Sequence, residues 1–181
     1  MQNAMQNNDE VSRLFAVARE FRFAMLTTVA TDRHLHARPM AIARLDDEDG
    51  ALWFLIARDH ASVSELQRDD RALVTMQSTE SYVQWSGHAT LVDDSMQVHD
   101  LWDPSFSPWF PEGPDPSKLA VLRVDLEIGE YWDRSGAMKL RAMLRRAKES
   151  IVGRSPDEPL THEERDRAHG RVHAEGDCRR A

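Results

Sequence analysis

A chain of 181 residues has room for one substantial core and does not require two domains. Its apolar share of 41% fits a globular protein, and no apolar run reaches the roughly 18–20 residues that span a bilayer. A formal charge of -8 argues against general binding to nucleic acid or to a membrane surface, and a single cysteine, Cys178, excludes an internal disulfide and points to the cytoplasm.

The polar start, MQNAMQNNDEV, has neither the basic flank nor the apolar run of a secretory signal, and residues 1–9 are expected to form a flexible lead. Val11, Leu14, Phe15 and Ala18 then recur at helical spacing, which predicts an amphipathic helix over 10–20. Strand patterns follow at 22–30, 34–44, 51–57, 71–77, 81–93 and 119–127. The first three are linked by turns short enough for antiparallel hairpins, Thr31-Asp32-Arg33 and Asp46 to Gly50. Leu52-Trp53-Phe54-Leu55-Ile56 is apolar on both faces and predicts a central strand. Ala120, Leu122, Val124 and Leu126 alternate with Arg123 and Asp125 in the last. Helices are predicted at 60–69 and 94–101.

Six strands with hairpin links and few helices favour a mainly β fold of the α+β type, a closed or partly closed antiparallel barrel with flanking helices. Two features stand out against this frame. Arg38-Pro39-Met40 puts a proline, which has no backbone N–H, inside a strand; backbone near it faces a ligand, or else Pro39 marks an edge or a bulge. Residues 102–118 hold five prolines, two tryptophans and two phenylalanines, too apolar for an idle linker, and predict a loop packed on the barrel or on a partner subunit. Beyond the barrel, Ala137, Leu140, Leu144, Ala147 and Ile151 predict a C-terminal amphipathic helix over 136–154. The rest, 155–181, reads as a charged, disordered tail.

The ordered set of MLTTV, RPMA, LWF, YVQWSGHATLVDD, LWDPSFSPWFPEGPDP and EYWD resembles the bacterial general stress proteins of the pyridoxamine-phosphate-oxidase-like superfamily over residues 10–135. That resemblance implies a six-stranded split β-barrel, a homodimer, and FMN (FAD being possible) held at the dimer interface. It implies that Arg38, Pro39 and Met40 lie along the flavin, with Phe54, Leu55, Ile56 and Ala57 contributed by the next strand. The helix that follows carries S-x-K-V-x-E-L in the family. Here the stretch is His60 to Leu66, so Ser62 stands where the phosphate-binding lysine belongs. Arg38, Arg58, Ser62 and the backbone around Val63 at the helix start are then the expected phosphate donors. Trp85 and Trp109 are the aromatic residues expected near the ring.

Other constellations carry less. His34 and His36 share a strand face but have no ligand partner at a recognisable spacing, which favours a solvated pair over a metal site. His162, His169, His173 and Cys178 fall at irregular gaps in the tail. The basic residues Lys139 to Lys148 read as a solvated or interface stripe, without the interleaved aromatics of a nucleic-acid site. Two function classes remain open: a flavin-dependent oxidoreductase of unknown substrate, whose cofactor supplies the redox chemistry, and a non-catalytic flavin carrier or sensor. A deazaflavin or haem barrel is a third. Nothing in the residues supports vitamin-B6 oxidation in particular.

Overall fold

A computed structural model of the chain describes residues 2–134 and 169–173. The predicted helix over 136–154 lies outside them. The elements run α1 (Gln2–Ala18), β1 (Phe23–Val29), β2 (Leu35–Asp46), β3 (Ala51–Ala57), α2 (Ala61–Arg68), β4 (Arg71–Gln77), β5 (Ser81–Val92), α3 (Ser95–Asp100), β6 (Leu119–Asp133) and β7 (His169–His173). All strand pairings are antiparallel, in the order β3-β2-β1-β4-β5-β6-β7, and β6 also pairs with β3. That last pairing closes a six-stranded barrel, the architecture expected from the strand patterns.

The inward faces follow the period of two. Ala24 and Leu26 from β1, Leu52, Phe54 and Ile56 from β3, Val74 and Met76 from β4, Val83 and Trp85 from β5, and Leu122 and Val124 from β6 fill the barrel. Leu14, Phe15, Val17 and Ala18 of α1 join that core, and the Phe15 and Trp85 rings meet edge to face at 5.3 Å. The double-sided apolar run of β3 also finds its explanation here. Its outward residues Ala51, Trp53 and Leu55 are buried beneath α3 and Phe106 of the aromatic loop, together with Leu119 and Val121 of β6.

Two boundaries differ from expectation. The expected flexible lead is helical from Gln2, because no glycine or proline stops α1 from running back through the polar residues. Within the expected tail, His169–His173 forms β7, paired with Ile128–Trp132 of β6. That segment has no apolar alternation, and it gains its place from backbone pairing along the length of β6 left free beyond β3, which pairs with Leu119–Asp125. No helix among the described residues is long and apolar enough to cross a membrane.

Candidate functional site

The site originates in a change of partner along β2. Residues Leu35–Ala41 pair with β1, while pairing with β3 begins only at Ile42 and is offset by a bulge before Arg44. Leu55, Ile56 and Ala57 instead pair on their other side with β6. The two strands therefore part beyond Ile42 and Phe54, and Pro39, which has no N–H to offer a ladder, sits in the parted stretch. Residues 39–41 and 55–57 line a cavity of about 310 Å³ in this gap, at the lower end of the roughly 300–1,000 Å³ usual for small-molecule sites. Phe23, Phe106, Trp109, Phe110 and His60 complete its wall. Trp109 is 54% exposed and packs edge-on to Phe23, with ring centroids 5.6 Å apart. A second cavity of about 530 Å³ adjoins it through Ala57, Trp109 and Phe110, and is bordered by Arg58, Glu112 and Lys118.

The wall is almost wholly apolar, so its polar members decide orientation. His60 precedes α2 as its N-cap: Nδ1 accepts a hydrogen bond from the Ser62 amide at 3.2 Å and stands 2.7 Å from Ser62 Oγ. With Nδ1 committed as acceptor, a neutral His60 carries its proton on Nε2, and the Trp109 indole is the other N–H-bearing side chain of the wall.

Beside the cavity lies a buried charge cluster. Glu65, on the inner face of α2 and 5% exposed, accepts from Thr28 Oγ1 at 2.6 Å and Arg38 Nη2 at 2.8 Å, and meets His36 Nδ1 at 3.1 Å. Burial alone would raise its pKa. The hydrogen bonds from Thr28, Arg38 and His36 outweigh that and hold it at about 2. Nη1 of Arg38 is buried without a partner.

The residues singled out from the sequence thus separate into groups. Pro39, Met40, Leu55, Ile56, Ala57 and Trp109 meet around one cavity. Phe54 and Trp85 are fully buried in the barrel, and Val63 packs against the same core, so these three side chains are structural. Trp85 misled because a strand tryptophan serves a core or a ligand equally well, and only the facing of β5 decides between them. Arg58 lines the adjoining cavity but is engaged: Nε donates to the Pro116 carbonyl at 2.9 Å and Nη2 to Asp93 at 2.5 Å. Arg38 is joined to Glu65, and Ser62 is wholly buried against His60. Glu65, Thr28 and His36 were not anticipated as a unit. The available signal was a carboxylate at 65 on the same α2 face as Ser62 and Leu66.

The model of the family described as pyridoxamine 5'-phosphate oxidase like matches residues 9–157. The chain belongs to that family. Among solved structures it resembles the general stress FMN/FAD binding protein of Xanthomonas citri, with 22% identity over 85% of this chain and 99% of the other and a TM-score of 0.60. It also resembles general stress protein 26 of Bacillus anthracis (18% identity, 67% and 92% covered, TM-score 0.60). A third likeness is to a Clostridium acetobutylicum protein related to general stress protein 26 of B. subtilis (14% identity, 68% and 87% covered, TM-score 0.61). At these identities the likeness is one of fold. No curated protein matches the chain.

Tested against a flavin nucleotide, the two ends of the ligand fare differently. The flat aromatic face of a flavin ring suits the cavity between β2 and β3, with its aromatic rim and single imidazole. The phosphate finds no such provision at α2, where Ser62 and both arginines are already bonded within the protein.

Proposed function

We propose that this protein binds a flavin in the gap between β2 and β3, with the ring against Pro39–Ala41 and Leu55–Ala57 and beside Trp109. The observation that carries this reading is the parting of two barrel strands around an apolar cavity, in a fold like that of a general stress FMN/FAD binding protein. FMN is the first candidate and FAD the second. When bound, the flavin would supply redox chemistry; the chain's part is to orient the ring, exclude water from it and present the His60 N–H. An oxidoreductase of unknown substrate is the primary function, in the cytoplasm. The engagement of the polar groups near α2 favours, as a second reading, a carrier or sensor that exchanges its flavin.

The visible absorbance of the purified protein, followed by mass analysis of the small molecule released on denaturation, tests the flavin reading. Anaerobic reduction by NAD(P)H then separates enzyme from carrier. A colourless protein that also fails to quench added FMN or FAD would end both readings. Trp109→Ala is expected to weaken flavin binding about 3- to 10-fold, the loss of one aromatic contact of about 0.5–1.5 kcal/mol, and fluorescence titration measures it.

The same reading includes a homodimer. Phe23, Met25, Leu35 and Trp109 are exposed large apolar residues, and the β1 strand and the β2 start that bear three of them are paired in one sheet. The solution mass is expected to be twice 20.7 kDa, and Met25→Asp is expected to lower it toward that of one chain. A monomer at micromolar concentration would remove the dimer from the proposal.

A further inference from the structure

We infer that this chain grips a flavin by its ring and does not discriminate between a flavin that carries the terminal phosphate and one that lacks it. The inference rests on the flavin reading above and concerns the other end of the same ligand. Helix N-termini attract phosphate because their first amides are unpaired and their dipole is positive. At α2 both advantages are reduced. The Ser62 amide donates to the His60 imidazole and the Val63 amide to the His60 carbonyl, so two first-turn donors are taken by one residue. Ser62, at the lysine position, is buried with its hydroxyl against the same imidazole.

The cations nearby are also matched. Arg58 pairs with Asp93 and donates to the Pro116 carbonyl, and Asp59 follows it in the chain. Arg38 pairs with Glu65, which is ionised at neutral pH and lies on the first turns of α2. An arriving phosphate dianion would therefore meet arginines already compensated by carboxylates. To reach the Ser62 and Val63 amides it would have to displace His60 as their acceptor. The partnerless Nη1 of Arg38 carries two N–H groups but is buried and adds no net charge to the pair. The phosphate is left to solvent, where it contributes little to affinity.

The test compares riboflavin with FMN on the full chain, stripped of any co-purified flavin, by fluorescence quenching. Dissociation constants within about threefold of each other are expected, since a charge-assisted contact would separate them by roughly 10- to 150-fold. FMN binding tenfold or more tighter than riboflavin overturns the inference while leaving the flavin reading intact. Binding of neither flavin overturns both. Asp93→Ala leaves the Arg58 guanidinium without its carboxylate, and is expected to tighten FMN about tenfold with riboflavin unchanged. If that variant folds, by circular dichroism, and gains nothing for FMN, the pairing of the nearby cations is not what sets the indifference and the inference fails.

Discussion

Replacing Glu65 with alanine is expected to lower stability by about 3–5 kcal/mol, the cost of stripping a buried pair of one partner. Arg38 has a side chain only 14% exposed, so its charge cannot simply turn to water, and the buried Thr28 hydroxyl loses its acceptor as well. For a chain of this size that corresponds to a melting temperature lower by roughly 6–20 °C. Glu65→Leu combined with Arg38→Met should recover much of the loss, because the pair is then replaced by apolar volume rather than broken. A single Glu65→Ala variant melting within a degree or two of the parent would show that the cluster contributes nothing. The same carboxylate makes stability depend on pH. Its folded pKa of about 2 lies below the usual 4.5, so its contribution is fully present above about pH 5 and is lost as pH falls from there toward 2. By linkage the shift is worth about 3 kcal/mol. The Glu65→Leu, Arg38→Met variant should show a flatter acid limb in urea titrations between pH 5 and 3.

Gly87→Ala is expected to cost about 3 kcal/mol or more, for a purely steric reason. A Cβ at this position would lie 1.8 Å from the Asp125 carbonyl oxygen and 2.9 Å from its carbon, both backbone atoms of the neighbouring strand. The site is the bulge where Ser86 pairs with Ile128 and Gly87 with Leu126, leaving Glu127 as the extra residue of β6. At the bulge the Leu126 amide bonds to the Gly50 carbonyl. Beyond it, the edge of β6 that pairs with β3 up to Asp125 pairs with β7 instead. Admitting a methyl group would force β5 and β6 apart at the turning point of the barrel's longest strand. A midpoint of chemical denaturation unchanged within error would show that the strands separate at no cost.

The residues themselves specified a good deal. Alternation from Phe23 to Val29 and from Ala120 to Leu126, and the unbroken Leu52–Ile56, are local patterns of period two or of continuous apolarity. They predicted six barrel strands because inward and outward facing is a property of each strand alone. Pro39 was legible for the same reason: a missing N–H is carried by one residue, and a ligand-facing backbone, an edge or a bulge was expected there; β2 pairs with β1 through Pro39 and parts from β3 on its other side. The aromatic loop at 102–118 likewise had to pack, and it covers the outer faces of β3 and β6.

What the sequence did not determine depended on distance along the chain. Thr28, His36 and Arg38 meet Glu65 from 27 to 37 residues away, and no spacing rule links a hairpin to the inner face of a later helix. Arg38 and Arg58 looked like free phosphate donors because their carboxylates at Glu65 and Asp93 are remote in sequence. Trp85 and Trp109 were equivalent as letters, yet β5 turns one into the core while the loop holds the other at the cavity rim. The bulge at Gly87 and the addition of β7 to β6 are likewise products of register. Backbone pairing sets register between strands far apart in the chain, and only the closed barrel fixes which backbone atoms come within reach of one another.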